Sequence, residues 1–241
     1  LFPYTTLFRS RRLQRMMKPI MTNLLAVDTS TENCSVAIRW QNNFFSEAIE
    51  SPREHSQRLL PFVEQMLQQA KTDLSQLDGL VVGVGPGIGV SMAQGLAFSA
   101  ELPVFPVSSL QALAQQAIRK HNAESVVACI DARMGEIYYA LYRNNNGVAE
   151  QITEPAVAEP SASLFAGHNV QGFHTAGTGW DNYAGTLDPK QELKHSMDCR
   201  LPLAEDMLTI ATKGCVSAVD AEDLEPLYVR NEVTWKKLPG R

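Results

Sequence analysis

The chain has 241 residues with 21 basic and 26 acidic side chains, which gives a formal net charge of −5. Phosphate binding needs clustered Lys and Arg, so this acidic balance argues against a free-standing RNA-binding protein. No run of 18 apolar residues occurs, and the sequence therefore predicts no membrane-spanning helix. The four cysteines form no CxxC pair, which is typical of reduced thiols in a cytoplasmic protein.

The first twenty residues are expected to be foreign to the fold. Their beginning, LFPYTTLFRS, is similar to the translation of a widely used sequencing adapter, and it lacks the long apolar segment of a signal peptide. Met21 is the expected native start. We therefore leave residues 1–20 out of the following predictions.

The N-terminal part begins with a predicted β-hairpin, whose first strand is apolar and ends at Asp28. Helices are predicted near 51–70, 90–100 and 108–120. The first of them opens with a capping box at Ser51 and Glu54. The predicted strands of this part cover residues 24–27, 34–40, 44–49, 79–84 and 103–107.

Two features of this part are candidates for a nucleotide site. Gly85 and Gly87 flank Pro86 between a strand and a helix, where backbone N–H groups can hold a phosphate, but a plain tight turn has the same pattern. Asp28 is a candidate Mg²⁺ or water ligand. It is equally well a turn residue, because the Thr-Ser-Thr that follows offers no glycine to a phosphate. The sequence leaves both alternatives open and describes at most a degenerate nucleotide site.

A pattern in residues 24–40 returns in residues 126–143: an apolar run that ends in Asp, a polar turn and an alternating strand. Asp28 and Asp131 hold matching places. Such a duplication predicts two related α/β lobes, as in the actin-like ATPase (ASKHA, ribonuclease H-like) fold. The expected divisions are a leader over 1–20, an N-terminal lobe over 21–124 and a C-terminal lobe with its tail over 125–241.

Several motifs along the chain resemble one known family. In order they are DTSTENCSVAI, SPREHSQRLLPFVEQML, GLVVGVGPG, AQGLAFSAELPV, IDARMGEIYYALY, GTGW and EPLYVRNEVTWKKLPG. Together they resemble the bacterial TsaB (YeaZ) family from about Met21 to the C-terminus. The resemblance implies a two-lobed actin-like fold and a role in making threonylcarbamoyladenosine at adenosine 37 of tRNAs that read ANN codons.

The same resemblance implies a subunit without catalytic residues or a metal site of its own. Members of the family pair through the N-terminal lobe with TsaD, the catalytic paralogue. The ATPase TsaE joins that pair, and TsaC supplies threonylcarbamoyl-adenylate. The implied subunit needs no cofactor, with ATP or ADP at the partner interface as an alternative. It meets tRNA only through the complex, and a homodimer is an alternative state of the isolated chain.

The implied contact surface is the apolar stripe of the first two helices. Because one face of a helix must also cover its own sheet, the same stripe fits a core-facing surface. The two interpretations differ in whether the side chains are exposed. The candidate interface residues are Leu59, Leu60, Val63, Met66, Leu67, Met92 and Leu96.

The chain departs from the family at one place. Family members read GPGSFTGVRIG where this chain reads GPGIG, so SFTGVR is missing at the start of the second helix. The alternative function is an autonomous peptidase-like or ATP-dependent enzyme of the same fold. Ser30, Ser35 and His55 are available for such chemistry, although no spacing among them favours it. None of the five histidines forms an HxxxH or HExxH motif, so no metal site is expected.

Overall fold

The structure is a computed structural model that describes residues 23–50, 54–85 and 89–225. These residues form eleven strands and five α-helices in two compact units. The predicted leader, the Gly87–Ile88 junction and the C-terminal tail beyond residue 225 lie outside the described residues.

The first unit is built on a five-stranded sheet in the order β3-β2-β1-β4-β5. The first three strands form an antiparallel meander, and β4 and β5 run parallel to β1. All five were predicted from apolar alternation, to within one residue at each end. The strands are β1 (Leu24–Asp28), β2 (Asn33–Trp40), β3 (Asn43–Glu50), β4 (Gly79–Gly83) and β5 (Val104–Val107).

The second unit repeats this order in a sheet arranged β11-β10-β6-β7-β8, with β9 also paired to β7. Again three antiparallel strands are followed by two that run parallel to the first strand of the unit. The predicted duplicated α/β fold is therefore confirmed. The strands are β6 (Ser125–Arg133), β7 (Glu136–Asn145), β8 (Val148–Gln151), β9 (Ala156–Ala158), β10 (His174–Ala176) and β11 (Lys194–His195).

Helices cover both faces of the first sheet. Helices α1 (His55–Ala70) and α2 (Gly89–Ser99) pack on the face that carries Leu25 and Val27. Glu54 holds the N-cap position of α1 without a side-chain cap, and it instead forms an ion pair with Arg58 at 2.7 Å. The predicted cap at Ser51 lies outside the described residues.

The second sheet is also covered on both faces. Helix α3 (Ser109–His121) packs beside Val126 and Ala128, whereas α4 (Gly179–Leu187) lies on the face of Val127 and Cys129. The indole Nε1 of Trp180 donates to the Val127 carbonyl at 3.2 Å and ties α4 to β6. None of the helices in the described part of the chain has the length and apolar character needed to cross a bilayer.

The division between the units differs from the predicted boundary at 124/125. The first unit ends at Val107, and the chain returns to it from Leu203 onwards. Helix α5 (Ala204–Thr212) packs on β1, β2 and β4, and Val219 exchanges two backbone hydrogen bonds with Val104 of β5 at 2.9 and 2.8 Å. Sequence order alone cannot reveal this return, because it is a long-range packing contact.

In each unit, a glycine lies at or directly after the end of the parallel strand that pairs with the first strand. A Cβ on Gly83 would lie 1.8 Å from Asp28 Oδ1, and one on Gly177 would lie 2.2 Å from the Cys129 carbonyl oxygen. In the hairpins, Asp28 pairs with Ser35 and Asp131 pairs with Ile137, so each Asp lies at the turn end of the first strand of its unit. The predicted equivalence of the two Asp residues stays a prediction.

We predict that Gly177→Ala destabilises the protein by about 3 kcal/mol or more. The new methyl group meets backbone atoms, and the φ angle of +105° is strained for any L-residue. Gly185→Ala in α4 is the matched control, because a Cβ there has nothing within 4 Å. That variant should be neutral or stabilised by up to about 1 kcal/mol. Equal urea midpoints for the two variants would contradict the close approach of Gly177 to the Cys129 backbone.

Candidate functional site

The first candidate site lies at the end of β1, where Asp28 and Thr29 begin the turn to β2. Both residues are buried, with Asp28 only 1% exposed. Asp28 Oδ1 accepts a long hydrogen bond from the Ser30 amide at 3.4 Å. Asp28 Oδ2 and Thr29 Oγ1 are buried and have no hydrogen-bond partner among the residues that the structure describes. Within the described ranges, the turn thus holds two polar atoms that are away from water and have no partner.

Glycines allow the neighbouring elements to approach this turn closely. Gly83 at the end of β4 leaves room for the Asp28 carboxyl group, and a Cβ on Gly89 would lie 2.6 Å from Thr29 Oγ1. Gly89 is the first residue of α2, so the N-terminus of this helix is already packed against the Thr29 side chain. On this side, the Thr29 side chain therefore occupies the space next to the N-terminus of α2.

Burial also changes the ionisation of the turn. Desolvation raises the pKa of Asp28 from 3.8 to about 7, and hydrogen bonds from Ser30 oppose this only in part. Burial, followed by the charge of Asp28, raises the pKa of the nearby Cys34 thiol to about 11. The turn therefore favours a protonated Asp28 and a neutral thiol at mildly acidic pH.

The enclosure of Asp28 bears on its predicted role as a Mg²⁺ or water ligand. Magnesium keeps several waters, whereas the Asp28 carboxyl group is buried. Gly85 is buried two residues after β4, and Gly87 lies outside the described residues. Asp28 is a buried turn residue, and its role as a ligand stays a prediction. A phosphate contact at Gly85 and Gly87 stays a prediction.

In the second unit, Asp131 serves its own hairpin. Its Oδ1 accepts from the Arg133 amide at 2.8 Å, and its Oδ2 accepts from Asn182 Nδ2 at 3.3 Å. The backbone amide of Asp131 donates to Thr178 Oγ1 at 3.1 Å. Both carboxylate oxygens are therefore engaged in holding the hairpin and the start of α4.

The second candidate site is the predicted interface stripe, and three of its residues belong to the core. Leu59, Val63 and Met66 are buried against the first sheet. Their side chains are therefore not exposed to a partner in the isolated unit, because their spacing places them on the side of α1 that covers β2. Their role as contact residues stays a prediction. Leu60 is 48% exposed, and Leu67 lies partly exposed at the edge of the same stripe.

Helix α2 adds a larger exposed group that the sequence prediction missed. Met92 and Leu96 are partly buried, whereas Phe98 is 75% exposed. Its position could have been found from the pattern, since the buried residues Ala93 and Ala97 define a stripe that excludes Phe98. Leu60 and Phe98, with the partly exposed Leu67, Met92 and Leu96, are here called the α1–α2 surface.

Of the residues considered for an autonomous enzyme, Ser35 has a structural partner, and His55 Nε2 has none among the described residues. Ser35 Oγ accepts a hydrogen bond from the Ala204 amide at 2.9 Å and so holds the start of α5. His55 Nε2 is buried and makes no hydrogen bond to any residue in the described ranges. A serine nucleophile needs a base within hydrogen-bond reach, and His55 does not provide it through this atom.

Comparisons with known proteins point to a single family. The model of the family described as "TsaD: tRNA N6-adenosine threonylcarbamoyltransferase" matches residues 46–195. The tRNA threonylcarbamoyladenosine biosynthesis protein TsaB of Escherichia coli strain K12 is 41% identical, over 90% of this chain and 99% of that protein. The protein of the same name from Haemophilus influenzae is also 41% identical, over 90% and 98%.

Solved structures give the same result. YeaZ from Pseudomonas aeruginosa superimposes with a TM-score of 0.78 at 38% identity, and the match covers 86% of this chain and 100% of that structure. A structure described as an uncharacterized protein with similarity to peptidase YEAZ from Pseudomonas aeruginosa gives 0.76 at 38% identity, over 87% and 100%. The similarity thus extends over both units.

We predict that Asp28→Asn changes how stability depends on pH. The raised pKa of Asp28 means that its contribution to stability is fully present below about pH 4 and is lost as the pH rises towards 7. One pKa unit corresponds to about 1.4 kcal/mol, so the loss is on the order of 4 kcal/mol. Asn cannot ionise, and the variant should therefore lack this loss.

The measurement is urea unfolding of both proteins between about pH 3.5 and about pH 8, a range that brackets the pKa shift of Asp28 from 3.8 to about 7. Asp73→Asn is the control, because Asp73 is exposed and accepts hydrogen bonds only locally, from the Ser75 amide and the Ser75 hydroxyl. The gain in stability of Asp28→Asn over the parent should grow with pH, whereas the control should run parallel to the parent. Parallel curves for all three proteins would show that Asp28 ionises without a penalty.

Proposed function

Because this chain belongs to the TsaB family of tRNA threonylcarbamoyladenosine biosynthesis proteins, we propose that it acts in that pathway as a non-catalytic subunit that binds TsaD. It has the biosynthetic role of its family. What we propose beyond this role is that the chain is a non-catalytic subunit and that it binds TsaD. The observation that carries this proposal is the α1–α2 surface, where large apolar side chains face solvent on the N-terminal unit.

The size of these side chains supports a protein partner. Phe98 and Leu60 are among the few large apolar side chains that the described residues leave exposed. Burying such a side chain in a complex contributes about 1.5–3 kcal/mol, and aromatic residues are enriched in the centres of interfaces. Two helices that share one sheet face present this surface, so its geometry is held by the core of the first unit.

The polar groups of the first unit support a role without catalysis. The Asp28 carboxyl is enclosed, Ser35 holds α5, and His55 Nε2 contacts neither serine. We therefore propose no required cofactor for this subunit, and ATP or ADP at the partner interface stays a prediction. In the proposed complex, which forms in the cytoplasm, TsaE joins the pair, TsaC provides threonylcarbamoyl-adenylate, and tRNA is bound through the assembly.

The test of this function is a reconstituted modification reaction. Purified TsaC, TsaD and TsaE are incubated with ATP, threonine, bicarbonate and an ANN-decoding tRNA, and threonylcarbamoyladenosine is measured by mass spectrometry. The modified nucleoside should form only when this chain is added, and the chain alone should form none. Full modification without the chain would contradict the proposal, as would transfer by the chain in the absence of TsaD.

We predict that Phe98→Asp and Leu60→Asp weaken TsaD binding by about a hundredfold. Each change removes the burial of one large side chain and places a charge in the seam, which together cost about 3 kcal/mol. Both positions are exposed, so the thermal melt of the isolated chain should be unchanged. Binding is measured by titration calorimetry with purified TsaD.

Two further variants control this experiment. Met134→Asp changes an apolar side chain of similar exposure, 72%, in the second unit, and it should bind TsaD as the parent does. Val63→Asp should instead unfold the isolated chain, because Val63 is core. Normal binding by both surface variants would remove the α1–α2 surface from the proposal.

A further inference from the structure

Three potential metal ligands from distant parts of the sequence meet in the second unit. His121 is the last residue of α3, and Asp198 and Cys199 lie in the loop between β11 and α5. One ligand atom from each lies within 4.8 Å of the other two. Imidazole, carboxylate and thiolate together are ligands typical of zinc. We propose that His121, Asp198 and Cys199 bind a zinc ion, with water as the fourth ligand.

The distances are close to those of a metal site. His121 Nε2 lies 2.7 Å from Asp198 Oδ1, and this oxygen lies 3.9 Å from Cys199 Sγ. Tetrahedral zinc would place the same atoms about 3.4 and 3.6 Å apart, given its usual bond lengths. Each distance therefore has to change by less than about 1 Å. The exposed pair His121–Asp198 opens to solvent and provides the route of entry.

The loop that carries two of the ligands is already fixed by backbone hydrogen bonds. The Cys199 amide donates to the Ser196 carbonyl at 3.0 Å, and the Cys199 carbonyl accepts from Gly177 at 2.8 Å. The Ser196 amide donates to Thr175 Oγ1 at 3.2 Å. These bonds anchor the loop to β10, so little order has to be gained when the ion binds.

The surrounding charges bear on the strength of this site. The C-terminal end of α3 carries a partial negative charge that favours a cation. Lys120 opposes it, since its Nζ lies 3.5 Å from Asp198 Oδ2, but it leaves Oδ1 to the metal. The ring of His174 stacks on His121 with centroids 5.6 Å apart, and Lys194 adds positive charge near His174. Removing the charge of Lys120 should therefore strengthen metal binding.

Binding of the ion releases one proton from the Cys199 thiol, because the thiolate is the ligand, and it requires neutral His121. No oxidation or reduction takes place. The bound ion would tie the end of α3 to the β10–β11 edge of the second sheet. Since it binds the folded chain, it should raise the melting temperature, and the increase should grow with the logarithm of the zinc concentration above the Kd.

The experiment titrates Co²⁺, a spectroscopic substitute for zinc, into the full chain after removal of any affinity tag. We expect one equivalent to produce a thiolate-to-cobalt charge-transfer band that Zn²⁺ abolishes. His121→Ala and Asp198→Asn should each weaken binding by at least the ~10–100-fold that loss of an outer-shell partner costs. Cys199→Ser should lose the band, and Lys120→Met should bind more tightly.

Matched controls exclude other binding sites. Cys215→Ala and His168→Ala remove an exposed thiol and an exposed imidazole elsewhere, and both variants should bind cobalt as the parent does. Segments outside the described residues contain neither His nor Cys. The absence of the charge-transfer band in the parent would overturn the proposal. It would also be overturned if His121→Ala and Asp198→Asn bound cobalt with the affinity of the parent. Because these two positions are exposed, the result does not depend on whether Cys199→Ser folds.

Discussion

In both units a glycine in a parallel strand makes room for the end of the first strand. Gly83 lies against Asp28, and Gly177 lies against Cys129. This close approach encloses the Asp28 carboxyl group in the core, where low polarity raises its pKa to about 7. The ionisation of Asp28 therefore depends on this backbone contact.

Much of the fold follows from local patterns that the sequence displays directly. The apolar runs and the alternation of β1, β2 and β4 can be recognised from neighbouring residues alone. The repeat that predicts two related units can be recognised in the same way. The return of residues 203–225 to the first unit could not be predicted in the same way, because it depends on packing between α5 and a sheet formed much earlier in the chain.

Local sequence patterns also do not show which residues of a candidate surface are exposed. An apolar helix stripe shows which side is apolar, but only the packed structure separates Leu59 and Val63 in the core from Leu60 at the surface. Phe98 could have been found from its position off the buried stripe of α2. The cluster of His121, Asp198 and Cys199 could not, since His121 lies 77 positions before Asp198 and the two meet only through the folded second unit.

We propose that the α1–α2 surface of this TsaB-family chain binds a protein partner while the Asp28 turn stays closed. Hydrogen–deuterium exchange of the chain, alone and with TsaD or ATP, tests both parts in one measurement. TsaD should slow exchange in residues 55–70 and 89–99, and ATP should leave the turn after β1 unchanged in the isolated chain. Protection that avoids these two helices, or protection of the Asp28 turn by ATP alone, would contradict the claim.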